Sequence, residues 1–180
     1  FAGQRYLARQ LRYVSRSKAV PLNATDLGDL NVFPLETEKH FSSVISQCEA
    51  VLELGAHLVL VGGDSSGLKA LGAAVQNIIN PDVPIVSLSN NNKLNLSKTQ
   101  KIILSVDLKE LAGKWLSKPR RLNGLSPSQI ISQINDIPNK IIAVAIFGLA
   151  PELDSRGSTE TQVALNILEA VVKRLDKGAH

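Results

Sequence analysis

The residues most able to do chemistry follow four short apolar runs. Gly62-Gly63-Asp64-Ser65 comes after His57–Val61, and Ser89–Lys93 comes after Val83–Leu88. Asp107–Leu111 sits at the end of Lys101–Leu108, and Gly148–Asp154 at the end of Ile141–Leu149. The paired glycines would let backbone N–H groups approach a phosphate closely. A hydrolytic centre would instead need several His, Asp, Glu or Cys side chains converging on one point, and the candidates found for it are Asp64 and Asp107. The histidines lie elsewhere: His40 in a helical stretch, His57 at a strand start and His180 at the terminus. Each of them reads as a surface or packing residue. The lone cysteine, Cys48, excludes an internal disulfide. Its apolar helical surroundings predict a buried structural thiol.

Positioning those segments falls to alternating strands and helices. A helix is expected over Glu36–Leu54, with Phe41, Val44, Ile45, Cys48, Val51 and Leu52 on one face and Gly55 as its stop. Further helices are expected over Ser66–Asn80, over Pro127–Ile134 with Ser126 just ahead of it, and over Thr159–Leu175. The intervening runs are apolar on both faces rather than alternating, as in strands buried on both faces of a parallel sheet. The pattern predicts one α/β domain over 1–180: three layers, αβα, with a mainly parallel sheet. In such sheets, ligands sit at the carboxyl ends of the strands.

Composition narrows the class. The chain has 180 residues, 44% of them hydrophobic and 20% charged, which suits a globular domain with a sizeable core. Aromatics make up 4%, so the core must be aliphatic. No apolar run reaches the roughly 18 residues that would span a bilayer. There is no methionine, so the sequence is expected to begin after processing or to belong to a longer product.

The net charge of +4 is mild, but its distribution is uneven. Gly3–Arg16 reads as an amphipathic helix with Leu7, Leu11 and Val14 on one face, and Arg5, Arg9, Arg12 and Arg16 on a neighbouring one. No acidic residue precedes Asp26. This basic helix, within residues 1–20, is either a solvated face or a contact for an acidic partner, RNA or lipid. The same composition marks mitochondrial transit peptides. A mitochondrial location is therefore expected, with the cytoplasm as the alternative. A second basic segment, KWLSKPRRLNG, holds the only tryptophan, Trp115, beside Arg120 and Arg121. It reads as a solvated loop or as a partner contact.

Six segments in order resemble the motifs of the ureohydrolases, the arginase, agmatinase and formiminoglutamase superfamily. DLGDLNVFP resembles that family's early D-x-G-D loop, LVLVGGDSS its strand ending in G-G-D-H-S, and IVSLSNNNKL its strand ending in D-A-H-x-D. ILSVDLKEL resembles S-x-D-x-D-x-L, GLSPSQII the G-G-L-T/S helix start, and IFGLAPELDSRGSTETQVALNIL the closing segment, nearest its formiminoglutamase form. A rival resemblance, of GGDSS to the nucleotide loop of phosphofructokinases, covers that loop alone.

The resemblance implies an arginase-like fold and a hydrolase of C–N bonds in linear amidines that works through two bridged divalent cations. Such cations take oxygen and imidazole ligands, with several carboxylates to balance their charge. In this sequence the implied ligand positions fall on Ser65, Ser89, Asn91, Lys93, Asp107 and Lys109, and the implied substrate-facing glutamate on Gly148. Of the six, Asp107 alone keeps a charged ligand. Asp64 and Asp154 match positions that support loops. An ammonium 4 Å from a cation would cost about 4 kcal/mol per unit charge at an effective dielectric near 20. A lysine amine, from Lys93 or Lys109, is expected instead to replace the cation and pair with Asp107. The family also carries a long insertion between the asparagine run and the Asp107 strand, where only Leu94–Gln100 stands here. A sheet shortened in this way would expose apolar edges for a partner to cover.

These observations predict a pseudoenzyme with no cofactor, no catalytic residue and no small-molecule substrate, acting as a structural subunit among protein partners in a larger assembly. The alternatives are a regulatory inactive paralogue of an active ureohydrolase, a diverged hydrolase with other catalytic groups, and a phosphate-binding module at Gly62–Ser66.

Overall fold

Each helix of the domain is set by its sequence pattern and its ends. A computed structural model describes residues 24–31, 33, 35–62, 65–88, 97, 99–111, 124–148 and 159–177. The expected helix at Gly3–Arg16 lies outside them. Helix α1, Thr37–Glu53, buries Val44, Cys48 and Leu52, one residue per turn of a single stripe. It stops at Gly55, whose φ of 72° is open to glycine without steric cost. Helix α2, Ser66–Ile78, buries Ala70, Leu71, Ala74 and Val75. Helix α3, Pro127–Asp136, opens with a capping box: the Ser126 side chain accepts from the Gln129 N–H, and the Gln129 side chain accepts from the Ser126 N–H. It runs two residues past the expected end and stops ahead of Ile137-Pro138, because a residue before proline avoids the helical region. Helix α4 covers Thr159–Lys177.

Among the described residues, four strands form one sheet in the order β1-β4-β3-β2: Leu58–Val61, Lys140–Phe147, Lys101–Asp107 and Ile85–Ser87. Every pairing is parallel. Helices α1 and α2 cover one face, where Val44, Cys48, Leu71 and Val75 pack against Ile103, Ala143, Ala145 and Phe147. Helices α3 and α4 cover the other, where Ile130, Ile134, Ile167 and Val171 pack against Ile102, Leu104, Val106, Val144 and Ile146. The architecture is thus the expected three-layer αβα with a parallel sheet. The core is aliphatic, and each fully buried leucine or isoleucine contributes about 1.5–3 kcal/mol.

Two strands differ from expectation. Strand β2 is three residues long rather than the whole of Val83–Leu88, although Val83 and Leu88 are themselves buried. Pro84, just before it, has no N–H to give a ladder. Strand β4 carries a bulge: Ile102 pairs with Ile141 but Ile103 with Ala143, which leaves Ile142 as the extra residue. Ile142 and Ala143 therefore both face α1 and α2. The His57 ring covers the irregularity, with Nδ1 3.3 Å from the Ile142 carbonyl.

The loop before α1 is tied down by that helix's side chains. The Asn31 N–H donates to Gln47 Oε1 at 3.0 Å, and Ser43 Oγ donates to the Asn31 carbonyl at 3.1 Å. At the opposite margin of the fold, Asn139 Nδ2 donates to the carbonyls of Ser97 (2.7 Å) and Gln100 (2.9 Å). Arg174 Nη2 donates to the carbonyls of Ile137 (2.8 Å) and Asn139 (3.1 Å). Asn139 and Arg174 thereby bolt together the entries to β3 and β4 and the end of α4.

Candidate functional site

Because all four strands run the same way, their carboxyl ends share one edge. Val61 pairs with Ile146, Ile146 with Val106, and Phe147 with Asp107, so positions 62, 148 and 107 follow one another across β1, β4 and β3. The Gly62 N–H donates to the Ile146 carbonyl at 2.9 Å and carries the ladder one residue into the glycine turn. Ser65 stands at the head of α2, where its side chain makes no capping hydrogen bond and its carbonyl accepts from the Leu68 N–H at 3.2 Å.

Asp107 ends β3 and caps the 3-10 turn Leu108–Glu110, with Oδ1 accepting the Lys109 backbone N–H at 2.9 Å. For Lys109 this corrects the expected pairing of its amine with the carboxylate; Lys93, the other candidate, lies outside the described residues. Among the described residues, Lys109 meets Asp107 through its backbone N–H and not its ammonium, because two residues' separation suits an Asx-type cap. Leu108 and Leu111 are buried and fix the turn in the core. The Leu125 N–H donates to the Glu110 carbonyl at 2.8 Å and returns the chain to α3.

Gly148 follows β4 with a φ of 91°. A Cβ at this position would overlap Asp107 Oδ1. It would also lie 3.1 Å from Lys109 Cγ and 3.2 Å from the Lys109 backbone nitrogen. The structure therefore brings Asp107, Lys109 and Gly148 into one packed junction, with Ser65 along the same edge. Ser89, Asn91 and Lys93 lie outside the described residues, as do Asp64 and Asp154. So do the expected partner-contact residues Arg5, Arg9, Arg12, Arg16, Trp115, Arg120 and Arg121.

Cys48 is 1% exposed, as expected of a structural thiol. Burial, aided by the Glu49 carboxylate, pushes its thiol up to about 11. It therefore stays protonated and unreactive at neutral pH. Sequence reasoning passed over His57, whose role depends on a bulge that no local pattern marks. It also passed over the left-handed backbone at Gly148, for which the glycine itself was the available signal.

No protein-family model matches the sequence, and no curated protein matches it. Solved structures do match in fold. Proclavaminate amidinohydrolase from Streptomyces clavuligerus aligns with a TM-score of 0.81 at 14% identity, over 99% of this chain and 87% of that one. Formimidoylglutamase from Bacillus subtilis aligns at 0.79 and 14%, over 97% and 82%. A T. brucei arginase-like protein aligns at 0.65 and 15%, over 81% and 68%. The chain has the arginase-like fold of the ureohydrolases.

The described residues at the implied ligand positions, Ser65, Asp107 and Lys109, offer a metal pair one carboxylate and do not fit it. Among the described residues, no group of three or more His, Cys, Asp or Glu side chains could hold a metal ion. The one carboxylate at the junction already accepts a backbone N–H, and a lysine follows it. Among the same residues, no helix is long and apolar enough to cross a membrane.

Proposed function

We propose that this chain is a non-catalytic protein of ureohydrolase fold that serves as a structural subunit of a larger protein assembly. The observation that carries this reading is the state of Asp107. It is the one charged residue kept among the implied ligand positions, and its carboxylate is engaged by the Lys109 backbone N–H within a packed turn. Serine at 65, lysine at 109 and glycine at 148 supply no further carboxylate or imidazole.

The sheet edges support an assembly role. Among the described residues, β1 and β2 are each paired on one side only. Each outer strand carries a partly exposed branched aliphatic, Val61 at 37% and Ile85 at 42%. Leu35 and Leu54, at either end of α1, are 98% and 83% exposed. The arginines at 5, 9, 12 and 16, and Trp115 with Arg120 and Arg121, would supply charged and aromatic contacts to an acidic protein partner. The acid-free start of the chain supports placing that assembly in the mitochondrion.

The test is elemental mass spectrometry of the protein isolated from its source, alongside its native mass. Near-zero manganese and a mass far above the 19.4 kDa of one chain are expected. Two metals per chain, with turnover of guanidino or formimino substrates, would overturn the proposal.

A further inference from the structure

We infer that the carboxyl ends of β3 and β4 have closed onto each other, and that Asp107 is retained as the cap and packing partner of this closure. This rests on the non-catalytic reading and goes beyond it.

Three observations make the closure specific. Gly148 is in the left-handed region, φ 91°, which a side chain would strain. The atom that any Cβ at 148 would overlap is Asp107 Oδ1. That oxygen is also the acceptor of the Lys109 N–H, at 2.9 Å. The carboxylate therefore cannot swing aside without leaving a partly buried N–H unpaired. The Lys109 backbone nitrogen and Cγ, 3.2 and 3.1 Å from the same point, shut the remaining directions.

The consequence is mutual exclusion. The motif resemblance implies a carboxylate-bearing side chain at 148 together with an aspartate at 107. In this chain a capping Asp107 and any side chain at 148 cannot coexist. Glycine at 148 and aspartate at 107 are thus one structural unit, and the aspartate's persistence follows from the turn it caps.

A double-mutant cycle on the full chain, read by urea denaturation, tests this. Asp107→Ala alone should raise the unfolding equilibrium constant about tenfold, as for loss of a cap. Gly148→Ala alone should raise it about a hundredfold or more, from left-handed strain and overlap together. In the Asp107→Ala background, Gly148→Ala should cost only about tenfold, since the strain stays and the overlap goes. Equal factors in the two backgrounds, or failure of Gly148→Ala to fold in both, would overturn the inference. An Asp107→Ala protein as stable as the parent would do the same. Coupling that persists in a protein carrying two metals would sink the non-catalytic reading and leave the closure standing. Absent coupling in a metal-free protein would do the reverse.

Discussion

Gly148 and Asp107 meet at the ends of β4 and β3 with no room between them for one further carbon. The chain has a useful internal control for what that tightness contributes. Gly55 also has a positive φ, 72°, yet nothing lies within 4 Å of the Cβ it lacks. Gly55→Ala should lose only the left-handed penalty, about 1–2 kcal/mol. Gly148→Ala should lose about 1–3 kcal/mol more, from overpacking. Urea midpoints of the two variants at equal m-value check the difference.

His57 holds the bulge in β4. Its ring nitrogen lies 3.3 Å from the carbonyl of Ile142, the residue that the bulge leaves without a partner on β3. His57→Phe keeps the ring volume and removes the donor, and should cost about 1 kcal/mol for the lost hydrogen bond. His57→Gln, which keeps an N–H donor, should recover part of it. Thermal unfolding of the three proteins side by side reads the order.

Asn139 is 1% exposed and spends both its amide hydrogens on carbonyls. Asn139→Ala should cost about 1–3 kcal/mol for those acceptors. Asn139→Asp should cost more at neutral pH, because a carboxylate would face two carbonyl oxygens. The gap should narrow in acid, where burial favours the protonated carboxyl and restores one donor. Stability measured from pH 7 down to pH 4 separates the two variants.

The raised thiol of Cys48 gives a prediction of opposite sign in base. The folded state holds this proton up to about 11, whereas the unfolded chain releases it near the ordinary value of 9.0. Its contribution is therefore complete below about 9 and is lost as pH rises toward 11. By then the loss is on the order of 2–3 kcal/mol at about 1.4 kcal/mol per unit. Cys48→Ala should lower stability at pH 7 by leaving a small cavity, and should flatten the decline between pH 9 and 11. Reaction with a thiol reagent should be slow in the folded protein at pH 8 and fast after unfolding.

Much of the architecture was legible in the sequence because burial on two faces leaves a plain mark. Runs such as Lys101–Leu108 and Ile141–Leu149 carry apolar residues on both faces, and the structure makes them the two central strands. Caps were legible where the residue type is decisive: Ser126 before Pro127, and Gly55 after α1. The bulge was not, since Ile141-Ile142-Ala143 reads the same whether or not one residue is extra. At the candidate site, the sequence placed Ser65, Asp107, Lys109 and Gly148 at strand ends, and the structure has them there. For Lys109 the contact with Asp107 is its backbone N–H rather than the expected ammonium, a distinction that residue types alone cannot make.

The strand order has a consequence for how the chain is made. Strand β4 lies between β1 and β3 although it is the last strand in sequence. His57 must wait for Ile142, 85 residues later, before its carbonyl partner exists. During synthesis, β1 emerges with no neighbour to pair with, and the sheet can form as a whole only once Phe147 has left the ribosome. Contacts of such long sequence separation slow folding and prolong exposure of the aliphatic strands. A nascent chain stalled before β4 would be a ready substrate for chaperones, and one stalled just after it could already hold its sheet.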